Sequence, residues 1–200
     1  MMNIDCMEWM ADKPDKFYDL AIVDPDFGLS DKISNGGTWA SKYKAGDGDL
    51  GGKPNRGYFD ELFRVSKNQI IWGGNYFIEN LKNTRCFIIW DKVAKMETLA
   101  DCELAWTSFD RNTKIYCHVR NTNESRIHIC QKPVKLYKWL LMNYAKQGDK
   151  VLDTHGGSGS ICIACHDLGF DLDWMETDKD YYTDAVKRFE IHKSQLRMFQ

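Results

Sequence analysis

The chain reads as an α/β protein, a mostly parallel sheet with helices on both faces. Short apolar, β-branched runs such as Leu20-Ala21-Ile22-Val23 look like buried parallel strands, and segments of helical periodicity separate them. Turn-forming residues also close those runs, Asp24-Pro25 in one place and Gly156-Gly157-Ser158-Gly159 in another. A length of 200 residues, 43% hydrophobic and 13% aromatic, suits one domain over 1–200 with a sizeable core.

Taken in order, Asp5 precedes Met7 to Met10 and can cap a short helix there. The first buried strand then ends in Asp24-Pro25-Asp26-Phe27-Gly28. Pro25 blocks further ladder pairing, so an acid, a proline and an aromatic ring land at the strand's carboxyl end, where open α/β sheets place their ligands. Such a set suits a flat, amine-bearing ring; the other reading is an ordinary turn exit. Residues 28 to 57 carry eight glycines, at 28, 36, 37, 46, 48, 51, 52 and 57, and no periodicity. A stretch of that kind is either a mobile functional lid or a floppy insertion.

Gly57 to Ser66 has helical spacing in Tyr58, Phe59, Leu62, Phe63 and Val65, with Asn68 as a stop before the strand Ile70-Ile71-Trp72. A short helix is expected over Asn75 to Leu81, then a strand from Cys86 to Trp90 and another around Trp106. Pro133 suits the first position of a helix lined by Leu136, Trp139, Leu140 and Tyr144, which Gly148 ends. Val151-Leu152-Asp153 reads as a strand, Thr154 to Ser160 as a glycine-rich turn, and Ile161, Ile163 and Ala164 as the helix that follows. Glu176 closes the next run, Leu172-Asp173-Trp174-Met175, and Tyr182, Ala185, Val186 and Phe189 line a final helix.

A strand, a glycine turn and an acid on the next strand form a nucleoside site: the backbone can approach the ligand, and the carboxylate accepts ribose hydroxyls. Cys162 stands at the third glycine of the dinucleotide pattern, which leaves a phosphate-binding loop as the weaker alternative.

Composition narrows the class. Seven cysteines, at 6, 86, 102, 117, 130, 162 and 165, show no paired metal-ligand spacing, and the odd number does not close a disulfide framework, so no metal is expected. Cys162-Ile163-Ala164-Cys165-His166 matches a haem-attachment string but falls inside an expected helix, where it reads as packing. No apolar run nears the roughly 20 residues that span a bilayer, and the start lacks a signal-peptide pattern, so a cytoplasmic location and no membrane association are expected. A net charge of -2 offers no global basic footprint. Contacts to a polyanion would have to be local, from Lys32, Lys42, Lys44, Lys53 and Arg56 in the glycine loop or from Arg111, Lys114, Arg120 and Arg126, a cluster that also reads as a solvated edge.

The two strand tips, in this order, resemble the S-adenosylmethionine-dependent amino-methyltransferases of DNA. That family's catalytic motif is (D/N/S)PP(Y/F/W), its cofactor loop is typically DPFxGSGT, and a circularly permuted group places the catalytic motif first, as here. Asn3-Ile4-Asp5-Cys6-Met7 is similar to the family's GDCL segment, and His128-Ile129-Cys130-Gln131-Lys132-Pro133-Val134 to its HPTQKP stretch. Gln69 to Phe77 and Glu103-Leu104-Ala105-Trp106 resemble phage and mobile-element members. The chain departs from the family where Asp26 replaces the second proline and His155 the usual phenylalanine; Thr154, Gly156 and Ser160 also differ from the commonest form.

The resemblance implies a Rossmann-like methyltransferase fold and transfer of a methyl group from S-adenosylmethionine to the exocyclic amine of a flipped DNA base. Adenine N6 is implied by aspartate at the head of the motif. Asp24, Pro25, Asp26 and Phe27 would be catalytic. Asp5, Cys6, Lys132, Asp153, Thr154, His155, Gly156, Gly157, Ser158, Gly159, Glu176 and Thr177 would hold the cofactor. Lys132 reads equally as an exposed lysine at a helix start. The resemblance further implies DNA contacts from the glycine loop, a small recognition region near 91–127, and a homodimer, since members of the family often pair. Alternatives are a cytosine-N4 enzyme, a relative that binds cofactor or DNA without transfer, a protein glutamine methyltransferase and a Rossmann oxidoreductase. The glutamine enzymes place the cofactor loop first, the reverse of this order.

Overall fold

The computed structural model describes residues 1–28, 52–93, 100–119, 126–128 and 130–197. Lys32, Lys42, Lys44, Arg120 and most of the glycine loop lie outside the described residues.

Helix α1 (Cys6–Ala11) leads to strand β1 (Tyr18–Val23), and helix α2 (Arg56–Val65) runs straight into β2 (Ser66–Trp72). Strands β3 (Phe87–Asp91), β4 (Cys102–Thr107) and β5 (Lys114–Cys117) follow, then α3 (Val134–Tyr144), β6 (Lys150–Asp153), α4 (Ser160–Leu168), β7 (Asp171–Trp174) and α5 (Lys179–Arg197). The strands form one seven-stranded sheet in the order β5-β3-β4-β2-β1-β6-β7. β4 is antiparallel to both its neighbours, and the other strand pairs are parallel.

Alternation along each strand divides the core in two. Leu20 and Ile22 of β1, Ile70 and Trp72 of β2 and Val151 of β6 pack with α3 and α4 on one face. Ala21, Val23, Ile71 and Leu152 pack with Met10 of α1 and Tyr58, Phe59, Leu62 and Val65 of α2 on the other. Both faces are therefore covered, which is why these strands read as unbroken apolar runs.

Two sequence expectations change in detail. Asn68 does not stop α2; the helix ends at Val65, where Ser66 turns extended and its Oγ donates to Leu62 O at 2.5 Å, while Asn68 lies within β2 and donates its Nδ2 to Asp19 O at 3.2 Å. The helix expected over Asn75 to Leu81 is instead two 3₁₀ turns, Gly74–Tyr76 and Ile78–Asn80. The chain breaks at Phe77 (φ −121°), whose fully buried ring fills the space between Phe27 and Phe59. Among the described residues no helix is long and apolar enough to cross a membrane.

The sheet's connections reverse direction between β1, which leads to β2 on one side, and β6, which leads to β7 on the other. Adjacent carboxyl ends at such a switch point leave a crevice outside the sheet. Asp24 leaves β1 and Asp153 ends β6 at that crevice, in strands paired Leu20 to Val151 and Ala21 to Leu152.

Candidate active site in the switch-point crevice

Asp24 continues β1 beyond its last paired residue, and Pro25, which has no N–H, keeps the ladder from extending. One carboxylate oxygen, Oδ2, accepts a hydrogen bond from Lys132 Nζ; the other, Oδ1, is buried and has no partner among the described residues. Lys132 precedes the N-cap of α3, so the helix start delivers its side chain, 2% exposed, to the crevice. The same ammonium lies 3.1 Å from Glu103 Oε2, and Glu103 Oε1 lies 2.9 Å from Lys92 Nζ. Four charges of alternating sign thus run from β1 across β4 to the end of β3. Burial pushes the Asp24 carboxyl above its ordinary range, Glu103 and Asp26 add to that, and Lys132 opposes it. Burial would raise Glu103 too, yet Lys132 and Lys92 bring it down to about 2.

Beyond Pro25 the chain turns sharply. Asp26 Oδ1 accepts the Gly28 N–H at 2.8 Å, and its Oδ2 is buried without a partner among the described residues. Phe27 stacks on Tyr76, centroids 4.9 Å apart and planes 13° from parallel. Gly73, directly after β2, makes room for that ring: its φ is +67°, and a Cβ there would lie 2.1 Å from Phe27.

On the β6 side, Asp153 is buried and its carboxyl is pushed up to about 8 by desolvation, although the His155 N–H donates to Oδ1 at 3.1 Å. Thr154 Oγ1 bridges Tyr58 Oη at 2.8 Å and His155 Nδ1 at 2.9 Å. Burial lowers His155 to about 4, so its imidazole is neutral at ordinary pH. Gly156 packs closely against Trp174, where a Cβ would come within 1.9 Å of the indole. Glu176 Oε2 accepts the Gly157 N–H at 2.8 Å and Oε1 the Asp178 N–H at 2.9 Å, which ties the acid after β7 to the glycine turn. Asn3 Nδ2 donates to the carbonyls of Glu176 and Thr177 at 2.7 and 3.0 Å and brings the chain's start alongside.

The structure thus brings Asp24 and Asp153 together at the ends of paired strands, and the Asp24 charge helps to raise the Asp153 carboxyl. Lys132 is not a surface lysine, and the partners it has are Asp24 and Glu103. Asp5 caps α1, its Oδ1 accepting the Met7 N–H at 2.6 Å. Lys53 pairs with Glu79 at 3.1 Å and Arg56 with Asp60 at 2.9 Å, both exposed. Arg111 is not at the crevice: it follows β4 at the opposite edge, donates to Asn143 O at 2.7 Å and lies over Phe109 and Tyr144. Glu103, Lys92, Tyr58 and His128 were not among the site residues expected from the sequence, although Tyr58 falls on the apolar stripe of α2 and Glu103 and His128 lie within family-like segments. His128 packs against Tyr181, centroids 4.4 Å apart, and faces Gly157. The signal for Glu103 was a lone acid opening an otherwise apolar strand.

Residues 69–187 match the sequence profile of the N6/N4 DNA methylases, more than half of the chain. The chain belongs to this DNA methylase family. Within it, a stretch of 77 residues is 35% identical to the Type II methyltransferase M.HindIII of Haemophilus influenzae, and one of 76 residues is 32% identical to M.HpaI of Haemophilus parainfluenzae. Those stretches cover 38% of this chain and only 25% and 24% of the two relatives. Among solved structures, the M1.HpyAVI–SAM complex shares the fold with a TM-score of 0.62 at 19% identity over 93% of this chain and 96% of that chain. The cytosine-N4-specific PvuII DNA methyltransferase does so with 0.66 at 12% identity, over 93% and 84%. The profile begins on β2, so Asp24 lies upstream of the matched segment and the glycine turn within it.

Proposed function

We propose that the chain transfers a methyl group from S-adenosylmethionine to the exocyclic amine of a base extruded from DNA, adenine N6 in preference to cytosine N4. The observation that carries the reading is the buried, unpartnered Oδ1 of Asp24, held beside the glycine turn of β6. A buried carboxylate oxygen needs a donor, and an exocyclic amine brings two N–H groups.

The crevice suits the cofactor. Gly156 and Gly157 leave the turn without side chains, and each Glu176 oxygen that accepts a backbone N–H keeps a lone pair for a ribose hydroxyl. Glu176 would hold the ribose, Asp153 with the turn from Thr154 through Ser158 to Gly159 the amino-acid end, and Asp5, Cys6 and Thr177 would flank the adenine. When bound, the cofactor supplies an electrophilic methyl on a sulfonium.

The chain's own residues do the rest. Asp24 Oδ1 and the Pro25 carbonyl accept the two amine hydrogens, which frees the nitrogen lone pair from conjugation with the ring and points it at the methyl carbon. As the N–C bond forms and the methyl's bond to sulfur breaks, the amine sheds one proton, and Asp24 is positioned to take it. Phe27, backed by Tyr76, offers a flat face to a base that must leave the helix to reach this depth. Lys53 and Arg56, where the glycine loop rejoins the described fold, are exposed cations available to the DNA backbone, and the loop's sequence adds Lys32, Lys42 and Lys44.

The test is incubation with S-adenosylmethionine and unmethylated genomic DNA, followed by digestion to nucleosides and mass spectrometry. N6-methyldeoxyadenosine is expected. N4-methyldeoxycytidine would move the target to cytosine, and cofactor retention with neither product would leave a binding-only relative.

A further inference from the structure

Glu103 is remote from both motifs in sequence and is drawn to the site by β4, which runs antiparallel to its neighbours. β4 pairs Trp72 with Ala105 and Ile71 with Trp106, so its first residues reach past the end of β2 to the carboxyl edge, where Gly73 N–H donates to Leu104 O at 2.8 Å. We propose that Glu103 is a positioning residue: through Lys132 it fixes which oxygen of Asp24 is engaged and which is left free for the amine, an inference that rests on the function proposed above.

An ammonium held by Asp24 alone could rotate between its two oxygens and mask either. Glu103 Oε2, 3.1 Å from Lys132 Nζ, anchors it from the far side, and Lys92 at 2.9 Å anchors Glu103 in turn. Lys132 Nζ also lies 5.0 Å from the centre of the Trp72 ring, against a buried wall. The result is one engaged oxygen and one orphan on Asp24. Placing four charges in the crevice costs desolvation, and apolar packing would be cheaper if stability were the only demand.

Asp24 is faced by Lys132 from the start of α3, Glu103 from β4, Asp26 from its own strand's exit and Asp153 from β6, with the phenols of Tyr58 and Tyr137 beyond. Glu103 raises the Asp24 carboxyl, because two like charges near one another resist ionising together.

The experiment is Glu103→Gln in the full chain, read in two ways. By carbon-13 carboxyl NMR, with the Asp24 signal assigned from Asp24→Asn, the Asp24 midpoint is expected to fall by about one pH unit. In methyl transfer to unmethylated genomic DNA, kcat is expected to fall roughly 10- to 100-fold with the KM for S-adenosylmethionine within about 3-fold of the unaltered value. An Asp24 midpoint equal to that of the unaltered protein overturns the inference, as does a change confined to KM. Should Glu103→Gln not fold, Glu103→Asp keeps the charge one methylene short: an unshifted midpoint with reduced kcat supports the inference, and an unchanged kcat overturns it. Absence of transfer by the unaltered chain would fault the proposed function instead and leave the carboxyl titration to decide the role of Glu103.

Discussion

Replacing Lys132 with methionine removes the ammonium that Asp24 and Glu103 share while keeping a flexible chain of similar bulk. The side chain is 2% exposed, so water cannot take the ammonium's place without opening the crevice. Breaking a buried pair by deleting one partner costs about 3–5 kcal/mol, and a chain of this size loses roughly 2–4 °C of Tm per kcal/mol, so a fall of about 6–20 °C is expected at pH 8. The loss depends on pH in a definite direction. Without Lys132, the folded-state pKa of buried Asp24 rises further above its unfolded value, and that of Glu103 rises from its depressed position. The folded variant then binds more protons than the unfolded chain, so its deficit grows as pH rises from about 4 towards 8 and shrinks as pH falls. Thermal melts of both proteins at pH 5 and pH 8 measure the deficit directly. A Tm loss below about 2 °C, or one of equal size at both pH values, would refute the buried-network account.

Gly156→Ala places a Cβ within 1.9 Å of the fully buried Trp174; a cost of about 1–3 kcal/mol and at least a 10-fold weaker affinity for S-adenosylmethionine are expected by calorimetry, and unchanged binding would count against the turn as the cofactor's cradle. Asp153, pushed up to about 8, is protonated in the free protein below that pH, whereas a bound cation favours its ionised form. The affinity for S-adenosylmethionine should therefore rise as pH goes from 6 to 8 and level off above, and Asp153→Asn should flatten that slope; a flat profile in the unaltered protein would remove Asp153 from the cofactor's surroundings. Phe27→Ala should weaken DNA-dependent transfer without altering cofactor affinity, checked by comparing kinetics on DNA with calorimetry for the cofactor.

The parts of this fold legible in the sequence were those set by local pattern. β1 and β6 stood out because strands buried on both faces are apolar at every position, and α2 because Tyr58, Phe59, Leu62 and Val65 fall on one stripe. The proline after Asp24 and the glycines after Asp153 marked where those strands end. What stayed hidden depends on contacts distant in sequence. Lys132 shows as a lysine before a proline and gives no sign that it is buried between two acids 108 residues apart from one of them. Glu103 reaches the crevice only because β4 runs antiparallel, and no periodicity announces strand direction. Tyr58 reads as core, correctly, but its hydroxyl also holds Thr154. The turns after Gly73 escaped because a buried Phe77 outweighs the helical spacing around it.

On the proposed function, Asp24 performs chemistry at a cofactor site it does not itself build. It is tested by single-turnover methyl transfer by Asp24→Asn, with S-adenosylmethionine saturating and the protein in excess over unmethylated DNA. A rate at least 100-fold below that of the unaltered protein is expected, with the cofactor dissociation constant within about 3-fold. Transfer at an undiminished rate would contradict it.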